Sequence, residues 1–195
     1  GFTVTEPVSE YALTLNAVNG LANRDPMRYS IKGLEDRPPE IVVVLLHGTL
    51  NASFETGFLN PIDEAIRTAR SFDLSPYRKL DEEPYDFVRK RLSVLVATPA
   101  AHLMVTKGAL ANVLAVCSTA ENADGTLVEL DVVKDAIQSQ MEQWAGQGWR
   151  VLGLASREMG VRENITKDDE TDMTFLGFLL FEDPIGDTKV FGNLS

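Results

Sequence analysis

Lys107 and Gly108 follow an apolar run ("LMV", then Thr106) and precede a stretch of helical composition. A cation therefore stands at the mouth of a strand, beside a residue that lets another backbone or a ligand come close. A buried ammonium needs an anionic partner such as a phosphate. An exposed lysine at a strand end needs none, and the tripeptide alone favours that plainer reading. In "YDFVRKRLSV" Phe87 alternates with Arg89 and Arg91. On a strand, this puts a ring and guanidinium groups on one face, where a base could stack and a phosphate be held bidentately. An inward Phe with solvated charges along the strand edge explains the same pattern. "ETGFLNPIDEAI" supplies Glu55, Asp63 and Glu64: acceptors for an exocyclic amine, or plain compensation of a helix dipole. Arg150, after "GQGW", is a phosphate or carboxylate partner or a surface arginine.

Other reactive residues are poorly placed for chemistry. His47 and His102 are far apart and lack the company of a metal site. Cys117 ends an apparent helix ("ALANVLAVC") with no histidine or lysine nearby in sequence, which suits a buried, inert thiol. Asp168, Asp169, Glu170 and Asp172 lack the spaced Gly and terminal Glu of a calcium loop and read as a solvated loop. Neither a P-loop, a dinucleotide fingerprint nor a nucleophile elbow occurs, and no nucleophile–base pair can be assembled for a self-contained hydrolase.

The elements that must position these side chains are mixed. "NPIDEAIRTAR" reads as a helix opened by Asn60 with Pro61 in its first turn. "RKLDEEPYDF", "RLSVLVA" and "HLMVTKGA" form a meander of three strands, and 132–145 is a helix ended by "GQG". "RVLGLASRE" and "DMTFLGFLLFEDP" are two more strands, and short strands with turns are expected over residues 1–36. The run at 38–54 is ambiguous: β-branched residues argue strand, Pro38-Pro39-Glu40 argues a helix start. This order predicts an α+β fold with a largely antiparallel sheet flanked by helices. A net charge of −11 argues against nucleic acid as a partner. The longest apolar run, "IVVVLL", is too short to insert into a membrane, which takes roughly 18–20 residues.

Four segments in order and spacing, "DFVRKRLSV", "VTKGA", "GWRVLGLASRE" and "FLGFLLFEDP", resemble the nucleotide-binding domain of a P-type ATPase. "LNASFETGFLNPIDEAI" is similar to the preceding segment in the bacterial magnesium-transporting subgroup. The resemblance covers residues 49–185, leaving 1–48 as less certain strands with a possible insertion and 186–195 as a tail or linker within one domain. It implies that 38–53 ("PPEIVVVLLHGTLNAS") is helical, that adenine stacks on Phe87, and that Lys107 with Gly108 lines the nucleotide pocket. It also implies that Arg89 and Arg150 lie near the phosphates, and that Asp63, a shorter acid than the family's glutamate, lies near the adenine. Asp183-Pro184 resembles the return to a phosphorylation domain.

The D-K-T-G-T motif of the phosphorylated aspartate and the hinge motif with its magnesium-binding aspartates are both absent. The expectation is thus an excised cytoplasmic domain of an integral membrane pump, with phosphorylation and actuator domains of the same pump as partners. Its ligand would be ATP as the Mg2+ complex, bound but not hydrolysed by this piece alone. Pumps for Ca2+ or H+, and a non-catalytic protein-interaction module, remain as alternatives.

Overall fold

The computed structural model describes residues 39–57, 60–69, 71–122 and 126–182; the expected strands in 1–36, the possible insertion, and Asp183-Pro184 lie outside these residues. Among the described residues, seven strands form one sheet in the order β1-β2-β3-β6-β7-β4-β5. They are β1 (Arg78–Glu83), β2 (Arg91–Ala97), β3 (His102–Ala109), β4 (Cys117–Glu121), β5 (Leu127–Glu129), β6 (Trp149–Glu158) and β7 (Met173–Glu182). Every pairing is antiparallel except β4 with β7. Helices α1 (Pro39–Phe54) and α2 (Pro61–Ala69) cover one face; α3 (Leu110–Leu114) and α4 (Leu130–Gly146) cover the other. The chain is therefore the α+β, largely antiparallel fold that its sequence predicts.

Because both faces are covered, the central strands are apolar almost continuously rather than alternately. In β7 a bulge lets a near-unbroken run feed both cores. Gly177, at φ +153°, interrupts the register with β6, so Phe175, Phe178 and Leu180 pack on one side and Leu176, Leu179 and Phe181 on the other.

The ambiguous segment is a helix. Val44, Leu50 and Ala52 of α1 pack against Val94, Val96, Val105 and Leu154 of the sheet, and this burial overrides the strand preference of the β-branched residues. Asn51, fully buried, donates from Nδ2 to the carbonyls of Val105 (2.9 Å) and Leu92 (3.4 Å), pinning the end of α1 to β2 and β3. As expected, α2 starts at Pro61, with Asn60 Oδ1 accepting the N–H of Ile62 at 2.9 Å. Arg67 donates to the Ala52 carbonyl at 2.6 Å and locks α2 against the last turn of α1. Cys117, by contrast, starts β4 rather than closing a helix, because α3 ends at Leu114. Its thiol donates to the Val113 carbonyl at 3.2 Å, and burial pushes it up to about 12.

Candidate nucleotide site

At one end of the face covered by α1 and α2 lie two adjoining cavities that share Asn60, Tyr85 and Leu92 as walls. The larger, about 670 Å³, is lined by rings and acids: Tyr85, Phe87, Glu55, Glu82 and Glu83. The smaller, about 230 Å³, is lined by Lys90, Lys107 and Arg150 with Gly108, and by no carboxylate. Charge is therefore segregated along one groove. Cationic and aromatic–acidic ends suit a ligand with an anionic tail and a flat head bearing amine groups.

Phe87 sits in a turn rather than on a strand. β1 ends at Glu83, before Pro84, and the chain then turns on Asp86. Its Oδ1 accepts the N–H groups of Val88 (2.8 Å) and Arg89 (2.6 Å), and its carbonyl accepts that of Lys90 (2.8 Å). Those N–H groups, led by that of Arg89, hold the Asp86 carboxyl below its usual range. The turn closes with Lys90 in the left-handed region, at φ 51°. Phe87 is left 87% exposed, its ring edge-on to Tyr85 with centroids 5.7 Å apart. A ring so uncovered contributes little to the fold and is free to carry a base.

Arg89 turns away from the cavities, toward Glu170, Asp86 and Pro84. Its Nη1 donates to both oxygens of Glu170 at 2.6 Å, its Nε to Asp86, and its Nη2 to the Pro84 carbonyl at 2.5 Å. Glu170 also accepts from Arg91 Nε (2.7 Å) and Ser93 Oγ (2.6 Å), and its side chain has no solvent exposure. The acidic loop is thus not wholly solvated. One of its carboxylates is the buried hub that fixes the Phe87 turn, while Asp169 closes a capping box at the 3-10 turn Lys167–Asp169 and pairs with Arg162.

Lys107 is buried and ion-paired with Asp63, whose side chain is 1% exposed. Asp63 lines neither cavity. Its second oxygen, Oδ2, finds no hydrogen-bond donor among amides, hydroxyls and cations of the described residues. The neighbour that can supply one is Glu55. Burial, then a hydrogen bond with Asp63 and the Asp63 charge, and also Glu82, push the Glu55 carboxyl up to about 7 against the opposing pull of Lys107. Glu55 is held in place from behind. Thr56 N–H donates to Glu82 at 2.9 Å and Lys79 Nζ to the same carboxylate at 2.7 Å, tying the loop after α1 to β1.

Gly108 makes room for backbone. A Cβ there would lie 2.3 Å from the Lys90 carbonyl oxygen and 2.6 Å from Arg91 Cα. The Ala109 N–H donates to that carbonyl at 2.9 Å. The glycine thus seats the end of the Phe87 turn against β3, while also bordering the smaller cavity.

Of the residues singled out in the sequence, Phe87, Lys107, Gly108 and Arg150 meet around the joined cavities; Arg89 and Asp63 stand behind them. Lys90, Tyr85 and Asn60 were missed, and Glu55 was noted only among several acids. The signal for Lys90 was the turn chemistry of "EPYDF", where Pro and Asp end a strand. No group of three His, Cys, Asp or Glu side chains placed to hold a metal occurs among the described residues. None of the described helices is long and apolar enough to cross a membrane.

The sequence that builds this sheet and its flanking helices matches a known family. The family described as "P-type ATPase, cytoplasmic domain N" matches residues 64–187, and the chain belongs to it. Among curated proteins it is 36% identical over 154 residues to "Magnesium-transporting ATPase, P-type 1" of Escherichia coli K12, covering 74% of this chain and 17% of that protein. It is 32% identical over 151 residues to the Salmonella typhimurium LT2 protein of that name, covering 72% and 17%. It is 28% identical over 103 residues to "Calcium-transporting ATPase PAT1" of Dictyostelium discoideum, covering 52% and 9%. The chain therefore spans about a sixth of the length of the magnesium-transporting relatives.

Proposed function

We propose that this chain is the ATP-binding domain of a magnesium-transporting pump, on the cytoplasmic side of an integral membrane protein. It would hold MgATP so that the γ-phosphate reaches an aspartate in a separate phosphorylation domain. The observation that carries this reading is the segregation of charge along the groove. Adenine would lie on the Phe87 ring in the larger cavity, and the phosphates would run toward Lys90 and Arg150, past Lys107, whose charge is already met by Asp63. Mg2+ would enter on the phosphates rather than on protein ligands. The contribution of this domain is orientation: a bound, aligned phosphoryl group presented to a neighbouring nucleophile, the entropic share of phosphoryl transfer. Magnesium is preferred to calcium as cargo because the magnesium-transporting relatives match more of the chain at higher identity.

Isothermal titration of wild type and Phe87→Ala with MgATP tests the reading. Loss of the ring weakens binding by about 1–3 kcal/mol, the worth of one stacking platform. The 87% exposure of Phe87 means that stability should be unaffected. An unchanged dissociation constant removes the assigned pocket and favours a non-catalytic interaction module.

A further inference from the structure

We propose that Tyr85 reads the sugar: its phenol is the group that recognises the ribose hydroxyls of a nucleotide lying along the groove. The inference rests on the nucleotide reading above and adds to it the ribose, which neither the aromatic nor the cationic end accounts for. Ribose is the covalent joint between base and phosphates. With the base in the larger cavity and the phosphates in the smaller, it must pass the walls that both cavities share, Asn60, Tyr85 and Leu92.

These walls differ in what they can offer. Leu92 is buried and carries no polar side-chain atom. Asn60 spends its Oδ1 on the Ile62 N–H at 2.9 Å, the cap of α2, which leaves its side chain the amide donors. The Tyr85 hydroxyl both donates and accepts, as each sugar hydroxyl does. It is engaged by no hydrogen bond among the described residues, and Tyr85 is 49% exposed, so this hydroxyl does little for the fold. Nor is the ring a second layer of a stack. It stands at 87° to Phe87, so a base lying flat on Phe87 meets Tyr85 at a right angle, as a side wall. The backbone on either side of Tyr85 is fixed. The Pro84 carbonyl accepts from Arg89 Nη2 at 2.5 Å, and Asp86 Oδ1 accepts the Val88 N–H at 2.8 Å. One turn thus presents the stacking ring and the phenol together, with centroids 5.7 Å apart.

Dissociation constants for MgATP and for the magnesium complex of 2′,3′-dideoxy-ATP, measured by isothermal titration in wild type, Tyr85→Phe and Phe87→Ala, test the assignment. Tyr85→Phe removes the hydroxyl and keeps the ring. Water competes for a half-exposed phenol, so the discrimination is that of one net hydrogen bond: wild type should bind ATP about two- to tenfold more tightly than the dideoxy analogue. In Tyr85→Phe the affinity for ATP should fall to that for the analogue, and the analogue should bind as it does to wild type. A wild type that binds both equally, a preference that survives in Tyr85→Phe, or an equal loss of both nucleotides in that variant overturns the ribose assignment. Weaker binding of both by Phe87→Ala would still uphold the nucleotide reading in those cases. No binding of either nucleotide by wild type removes that reading and this assignment together.

Discussion

Gly108→Ala is the perturbation whose size the structure defines best. A methyl group at this position would stand 2.3 Å from the Lys90 carbonyl oxygen, against a floor of 3.0 Å for real Cβ contacts, so the two must part by at least about 0.7 Å. Both sides are backbone: β3 is held by β2 and β6, and Lys90 ends the Phe87 turn. Overpacking of this kind costs about 1–3 kcal/mol. Loss of the hydrogen bond from Ala109 N–H to Lys90 costs about 0.5–1.5 kcal/mol more. The expected destabilisation is about 2–4 kcal/mol, read as a lower urea midpoint at unchanged slope. MgATP should bind more weakly too, since Lys90 and Phe87 ride on the displaced turn. Gly146→Ala is the control. It ends α4 with nothing within 4 Å of a new Cβ, and should stabilise by about 0.4–1 kcal/mol. A loss below about 0.5 kcal/mol for Gly108→Ala would refute the claim that this glycine seats the turn.

Other perturbations probe the two buried charge clusters. Lys107→Met should cost about 3–5 kcal/mol by stranding Asp63, and adding Asp63→Leu should recover most of it, because neither charge then remains buried. Simple additivity in urea unfolding would contradict a coupled pair. Glu170→Gln should cost a similar about 3–5 kcal/mol by leaving Arg89 and Arg91 without their shared carboxylate. It should weaken adenosine and ATP alike, since these arginines hold the turn rather than the phosphates; a loss confined to ATP would return Arg89 to the phosphate site. Glu55→Gln should match wild type in stability below about pH 4.5, where the carboxyl is protonated folded or unfolded. Between 4.5 and 7 the unfolded chain releases a proton that the fold retains, so wild type loses stability relative to the variant, and the gap is constant above. A gap that closes with rising pH would reverse the sign of the argument.

The strand meander, α2 and both long terminal strands were legible because each carries its own local signal: alternation, an Asn-Pro start, or a continuous apolar run. α1 was not. Its β-branched composition and its helix start pull in opposite directions, and the decision lies in the sheet that Asn51 and Val44 pack against. In the site, residue types were legible and directions were not. Spacing alone put Phe87 and Arg89 on one strand face, whereas Asp86 bends the chain into a turn that exposes the ring and buries the guanidinium. Nothing local marks Glu170 among its acidic neighbours. Its partners lie 77 to 81 residues away, beyond the reach of any window reading. The same holds for the Asp63–Lys107 pair, 44 residues apart.

The central claim is that one groove takes the base at its aromatic end and phosphate at its cationic end. Backbone amide NMR shifts during titration of the 195-residue chain with MgATP, compared with adenosine, test it most directly. ATP should move amides around Phe87, Lys90, Lys107 and Arg150 together, and adenosine those around Phe87 and Glu55 with little effect at Lys90 and Arg150. No shifts at millimolar ATP, or shifts centred away from both cavities, would contradict the account.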